Sequence, residues 1–180
     1  MIEVKNLVKR YGNHCAVDHL SFTVEDGQVF GLLGPNGAGK STLMNVLAGT
    51  YLHVSGDILI DGKKVVMSNA KVANRNGIRF IHQELNLCED LKVFENMYLG
   101  EEPSRFGLLR KEEMKKNCQQ VLDRMKVRIN LESLVEELSA AQKQLVEIAK
   151  ALLFRSELII MDEPTTALSN NEIDNLFEIM

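Results

Sequence analysis

Cysteine is scarce in this 180-residue chain, and the three that occur stand apart. Cys15, Cys88 and Cys118 form no pair with metal-ligand spacing, and an odd count argues against a disulfide framework. A reducing compartment is the expected setting. No apolar run approaches the length of a membrane span. The opening Met1-Ile2-Glu3-Val4-Lys5-Asn6 mixes charges and leads into an alternating segment, so it reads as a strand rather than a signal peptide. A surplus of positive charge is missing too: 21 Lys and Arg stand against 25 Asp and Glu, for a formal net charge of −4. That balance argues against wrapping nucleic acid but leaves room for one local polyanion site. Internal repeats, low-complexity tracts and long linkers are absent as well. What remains is 45% apolar and 26% charged, which suits one α/β domain with a core, or a large piece of one, and excludes extended disorder.

Ile2 to Val8 alternates as a half-buried strand, Tyr11-Gly12-Asn13 reads as a turn, and Ser21 to Val24 as a second short strand. Val29 to Leu33 is a denser apolar run of the buried-strand kind. Helix formers begin near Lys40 and carry to Leu47-Ala48, where Gly49 stops them. Gly56 to Ile60 predicts a strand closed by an Asp61-Gly62 turn, Asn69 to Arg75 a short helix, and Ile78 to Ile81 another strand. Asp90 is placed to cap a helix over Leu91 to Leu99, and 101–107 reads as a loop. From Lys111 the period turns helical, with Met114, Cys118, Val121, Leu122 and Met125 on one side. The stretch Arg110 to Arg128 is locally basic, as a solvated helix face or a partner surface would be. Ala141 to Leu153 predicts a second long helix and Leu158 to Met161 a short strand; Ser169-Asn170-Asn171-Glu172 fits a capping box that opens a helix toward Met180. Strands alternating with helices make the fold α/β, with an antiparallel contribution from the N-terminal strands and a helical stretch from 90 to 150 reading as an insertion.

Gly34-Pro35-Asn36-Gly37-Ala38-Gly39-Lys40-Ser41 matches G-x-x-x-x-G-K-[ST] completely, after a buried strand and before a helix. Glycines let consecutive backbone N–H groups curl around phosphate oxygens, and the following helix adds its unpaired N-terminal donors. Lys40 brings a positive charge to the β- and γ-phosphates, and Ser41 offers a hydroxyl to Mg²⁺. Nucleoside triphosphate and magnesium follow from this motif; the base does not. The strand from Leu158 ends in Asp162-Glu163, at the edge where open α/β sheets bind ligands. Asp162 fits a magnesium-orienting acid. Glu163 points to the opposite side, where it can polarise a water for attack on the γ-phosphate. Two acids with two tasks suggest hydrolysis rather than binding alone.

At this point the chain resembles the ATP-binding cassette ATPases that power membrane transporters, over essentially its whole length. The resemblance implies a phosphate-loop NTPase core with an N-terminal antiparallel β subdomain and an inserted helical subdomain: residues 1–88 and 155–180 as core, 89–154 as the helical part. It implies that Tyr11 stacks on adenine and that Gly34 to Thr42 form the phosphate loop; stacking gives modest base preference, so ATP is the nucleotide expected from the family. It implies that Gln83, within Ile81-His82-Gln83-Glu84, contacts magnesium and water and senses the transmembrane partner. Leu138-Ser139-Ala140-Ala141-Gln142 takes the place of the family signature, 20 residues before the expected metal acid Asp162. Glu163 is then the catalytic carboxylate. Family members pair head to tail, so the Ser139 loop of one would complete the γ-phosphate site of the other.

Two departures refine the resemblance. Ala140-Ala141 stands where the signature usually has two glycines, and Ser169 stands where many cassettes have aspartate. Both are similar to the N-terminal cassettes of monosaccharide importers for ribose, xylose or galactose. The expectation is therefore an ATPase at the cytoplasmic face of the cell membrane. Its partners would be a second cassette, a permease and, indirectly, an external sugar-binding protein, with no nucleic acid. A soluble cassette in DNA repair or translation, or a non-catalytic nucleotide-binding module, is the alternative. The histidines are His14, His19, His53 and His82, and none follows Glu163, where the family carries one against the γ-phosphate. The resemblance therefore implies an incomplete cassette with little turnover.

Overall fold

The computed structural model describes residues 1–26, 28, 37–81, 86–105, 107–154, 156 and 158–161. The strand expected over Val29 to Leu33, the residues Gly34, Pro35, Asn36, Gln83, Asp162 and Glu163, and the helix expected after Ser169 lie outside them. The chain divides into two compact units, one built from Met1–Phe80 with Ser156–Ile160, the other from the described residues between 81 and 154.

The first unit opens on β1 (Ile2–Tyr11) and β2 (His14–Val24), an antiparallel hairpin. The Ser21 to Val24 strand expected from sequence is the second half of a longer one: β2 starts at His14. Its one deeply buried residue before Leu20 is Val17, so the alternation that marks a strand is diluted there by polar neighbours. In β1, Ile2 and Val4 alternate inward, and then the register slips. Asn6 takes a left-handed φ of 48°, with its N–H on Ser21 Oγ at 2.8 Å. The slip lets Leu7 and Val8 both be buried. β3 (Ser55–Ile60) pairs antiparallel with β1, and β4 (Lys63–Val65) with β3, giving the order β2-β1-β3-β4.

Between β2 and β3 runs α1 (Lys40–Leu47), whose Leu43, Val46 and Leu47 are buried at i, i+3 and i+4. They join Val4, Leu7, Val17, Ile58, Met67, Ile78 and Ile160 in one core. Each such buried aliphatic contributes roughly 1.5–3 kcal/mol, and together they press α1 onto the sheet. α2 (Ala70–Arg75) is capped by Asn69, whose side chain accepts from Val72 N at 2.9 Å. β5 (Ile78–Ile81) and β8 (Leu158–Met161) form a two-stranded sheet with the bounds the sequence predicts.

The second unit holds α3 (Val93–Tyr98), α4 (Lys111–Arg124) and α5 (Ala140–Leu153), packed on one another, with a 3₁₀ turn at Val135–Glu137. The stripe Met114, Cys118, Val121, Leu122 and Met125 is buried as the periodicity predicts. Burial pushes the Cys118 thiol up to about 12, so it stays neutral. Tyr98 and Phe154 meet edge to face at 5.5 Å. On the surface, Lys115 and Lys92 bind Glu132 and hold its carboxyl down to about 2.

Two expectations fail here. Asp90 does not cap α3; the helix starts at Val93 behind Lys92, whose N–H reaches Glu95 Oε2 at 3.3 Å. And 101–107 is not all loop: β6 (Ser104–Arg105) and β7 (Leu108–Leu109) make a small antiparallel hairpin. The start of α3 is set from inside. Asn96 is fully buried; its Oδ1 accepts from Cys88 N at 2.8 Å, and its Nδ2 donates to the carbonyls of Cys88 at 2.9 Å and Leu91 at 3.2 Å. Asn96→Ala is expected to lower unfolding stability by roughly 1–3 kcal/mol, because it removes the hydrogen bonds that this buried amide makes to the Cys88 and Leu91 backbone. A shift in the chemical-denaturation midpoint measures it, and an unchanged midpoint would contradict it.

Candidate functional site

The described part of the glycine-rich loop is Gly37 to Lys40. Gly37 and Gly39 both hold φ of 83°, a backbone that L side chains avoid. Their surroundings differ. A Cβ on Gly37 would meet nothing within 4 Å, whereas one on Gly39 would lie 2.1 Å from the carbonyl oxygen of Ala16 in β2. Only hydrogen fits there. Gly39 is therefore a turn residue and also the point where the loop lies against the hairpin.

Lys40 is the first residue of α1, and the first helical bond runs from Leu43 N to Gly39 O at 2.9 Å. The N–H groups that open the helix face back toward the loop without intrahelical acceptors. No acidic residue sits in the first turn to offset the positive end of the helix. Ser41 and Thr42 follow inside that turn, and the Ser41 carbonyl accepts from Asn45 Nδ2 at 2.8 Å. An open depression of about 420 Å³ lies here, lined by Cys15 to Asp18 and Leu20 of β2 and by Gly37 to Lys40 and Leu43.

These residues fit a magnesium-triphosphate group. The turn at Gly39 admits no Cβ, its donors are backbone N–H groups and an ammonium, and Ser41 adds a hydroxyl one residue into the helix. Among the described residues no cluster of three His, Cys, Asp or Glu could hold a metal. Magnesium suits such a place, since phosphate oxygens and water commonly make most of its shell.

The structure brings together Gly37, Ala38, Gly39 and Lys40. It does not bring Tyr11 into the depression. Tyr11 ends β1 opposite His14, and its ring stands edge to face against Tyr51 at 5.9 Å. Ser139 and Gln142 lie in the second unit, where they cap α5 reciprocally: Gln142 N donates to Ser139 Oγ at 3.3 Å, and Ser139 N donates to Gln142 Oε1 at 3.0 Å. Sequence reasoning missed the Ala16 carbonyl that shapes Gly39, since a backbone contact leaves no residue signal. It also missed Asn45, although a side-chain amide four residues after Ser41 is the spacing at which such a bond back to a helical carbonyl forms.

Comparison with known proteins adds to this picture. The family model described as "ABC transporter" matches residues 17–166. The chain is 44% identical to the ribose import ATP-binding protein RbsA of Bacillus licheniformis over 180 residues, which is 99% of this chain and 36% of that protein. It is 43% identical to the protein of the same name in Bacillus subtilis, with the same coverage. Against RbsA 2 of Escherichia coli O157:H7 the identity is 44%, over 100% of this chain and 36% of that one. The chain thus spans about a third of the length of the curated relatives it matches. Among solved structures, a nucleotide-free ATP-binding cassette from an ABC transporter superposes with a TM-score of 0.84 at 28% identity, over 99% of this chain and 74% of that one. A dimeric bacterial ABC transporter cassette gives 0.81 at 26%, over 99% and 81%.

Proposed function

Because this chain belongs to the ABC transporter family, we propose that it binds and hydrolyses magnesium-ATP to power import of a monosaccharide through a membrane permease. The observation that carries the nucleotide site is the glycine cradle: left-handed Gly37 and Gly39, the latter seated on the Ala16 carbonyl, delivering the chain into α1 at Lys40. Backbone N–H groups of that cradle bind the phosphate oxygens, and Lys40 neutralises the β- and γ-phosphates. Ser41, with Gln83 and Asp162, would hold the magnesium, which when bound neutralises charge across the phosphate oxygens. Glu163 takes up the proton of the attacking water. Tyr11 carries the adenine ring on its face. Ser139, with Gln142, serves the γ-phosphate of a second cassette.

Pairing with a second cassette, head to tail on this reading, is supported as far as dimerisation by a structural relative described as dimeric. Sugar import is supported by the ribose import named for the curated relatives. On this reading 1–88 and 155–180 form the nucleotide core and 89–154 the helical subdomain. The site of action is the cytoplasmic face of the membrane, with an external sugar-binding protein delivering to the permease. Among the described residues no helix is long and apolar enough to cross a membrane.

Calorimetry with magnesium-ATP tests the site, with Lys40→Ala as the control. The expected result is saturable binding that weakens roughly thirtyfold to a hundredfold in the variant, the scale of losing one charge-assisted phosphate contact. Equal affinity in the two chains would reject the phosphate loop as the binding element.

A further inference from the structure

The side chains around Tyr11 form an arrangement that the phosphate loop does not explain. Tyr11 and Tyr51 are 42% and 40% exposed, large aromatic rings left in solvent. They are not loose. Their planes meet at 88° with centroids 5.9 Å apart. Lys9, two residues before Tyr11 on the same side of β1, places its ammonium 5.0 Å from the Tyr11 centroid and 5.5 Å from that of Tyr51. The same ammonium donates to the Leu52 carbonyl at 2.7 Å.

The segment carrying Tyr51 is itself tied down at both ends. The N–H groups of Thr50 and Tyr51 donate to the Asn45 carbonyl at 2.8 and 3.2 Å, in the last turns of α1. Val54 N donates to Val8 O at 2.8 Å, on β1. Asn45 also reaches Ser41 at the start of the helix. A continuous set of contacts thus runs from the first turn of α1 through Asn45 and Tyr51 to the Tyr11 ring.

We propose that Tyr51, with Lys9, is a positioning residue for nucleotide recognition: it fixes the Tyr11 ring relative to the phosphate-binding helix, so that base and phosphates are met at one set spacing. This rests on the reading of Tyr11 as the adenine platform. A stacking surface yields affinity only when its angle is set before the base arrives, since a ring that must be ordered on binding loses rotamer entropy at that moment. The edge-to-face partner sets the plane. Lys9, held by the Leu52 carbonyl, keeps the two rings together. Contact through ring faces and edges needs the six-membered ring of Tyr51 and not its hydroxyl.

Calorimetry of the whole chain with two probes, magnesium-ATP and magnesium-tripolyphosphate, separates base from phosphate binding. Tyr11→Ala should weaken ATP and leave tripolyphosphate unchanged. Tyr51→Ala should do the same to a smaller degree, about three- to tenfold, the scale of a lost aromatic pair. Tyr51→Phe should restore the unaltered affinity. ATP binding that is weakened by Tyr11→Ala and untouched by Tyr51→Ala overturns the positioning role and leaves the platform reading standing. Weakening of both probes alike by Tyr51→Ala overturns it as well, because Tyr51 would then only support the fold. ATP binding untouched by Tyr11→Ala overturns the platform reading and the positioning role with it, as does a chain that binds neither probe.

Discussion

Gly39→Ala is expected to abolish magnesium-ATP binding and to lower the stability of the first unit, while Gly37→Ala is expected to do neither fully. The two glycines share a φ of 83°, so each substitution meets the same left-handed penalty of about 1 kcal/mol. Only at Gly39 does the added methyl also collide with a backbone, the Ala16 carbonyl at 2.1 Å. Ala16 sits in β2 between Cys15 and Val17, which pair with Arg10 and Lys9, and its carbonyl is backbone that cannot swing aside as a flexible side chain would. The loop must move instead, and the N–H cradle moves with it. Backbone strain and overlap together give a loss of at least roughly 3 kcal/mol, or more than about a hundredfold in affinity. Titration calorimetry and a thermal melt on both variants check this. Equal effects at the two positions would show that conformational freedom, not the close approach, is what the loop requires.

The largest effect on turnover is expected from Glu163→Gln. The amide keeps the volume and one acceptor oxygen of the carboxylate but cannot take up a proton. If Glu163 polarises the attacking water, phosphate release should fall about 10²- to 10⁴-fold, the range for a lost general base, with magnesium-ATP binding retained. The separation of binding from turnover is the informative part. On the proposed reading Lys40 and the glycine cradle hold the triphosphate, and they are unaltered in this variant. A malachite-green phosphate assay beside calorimetry on the full protein gives both numbers. Turnover that survives the substitution would move the base elsewhere and leave Glu163 without a catalytic role.

Elements governed by local pattern were legible from sequence. The stripe from Met114 to Met125, the strand Ile78 to Ile81 and the helix stop at Gly49 each follow from side-chain periodicity or from one residue's backbone freedom, and each appears where expected. Asn69 and Ser139 cap helices as their residue types suggest. What was not legible depended on contacts across the chain. Asp90 has the right chemistry for a cap, but the buried Asn96 amide binds the Cys88 and Leu91 carbonyls and carries the helix start past it. The β6–β7 hairpin has two residues per strand, too few for alternation to register. At the candidate site, spacing alone marked out the glycine-rich segment whose described part, Gly37 to Lys40, leads into α1. The Ala16 carbonyl and the Lys9–Tyr51 pair carry no motif, since the fold and not the sequence order brings them to Gly39 and Tyr11.

The cap on α5 has a consequence for what Ser139 can still do. In the reciprocal bond its oxygen receives a hydrogen from Gln142 N, and its backbone gives one to the Gln142 side chain. Neither bond spends the hydroxyl's own hydrogen. A serine in this role is fixed in place by what it accepts and keeps one donor to give outward, beside a helix end that already favours negative charge. Capping and the proposed phosphate recognition therefore do not compete at this residue: the bond that orders the side chain leaves its own hydrogen available. Exchange to alanine would forfeit both at once, whereas exchange to aspartate would preserve the cap and repel a phosphate, so the two substitutions divide stability from recognition at a single atom.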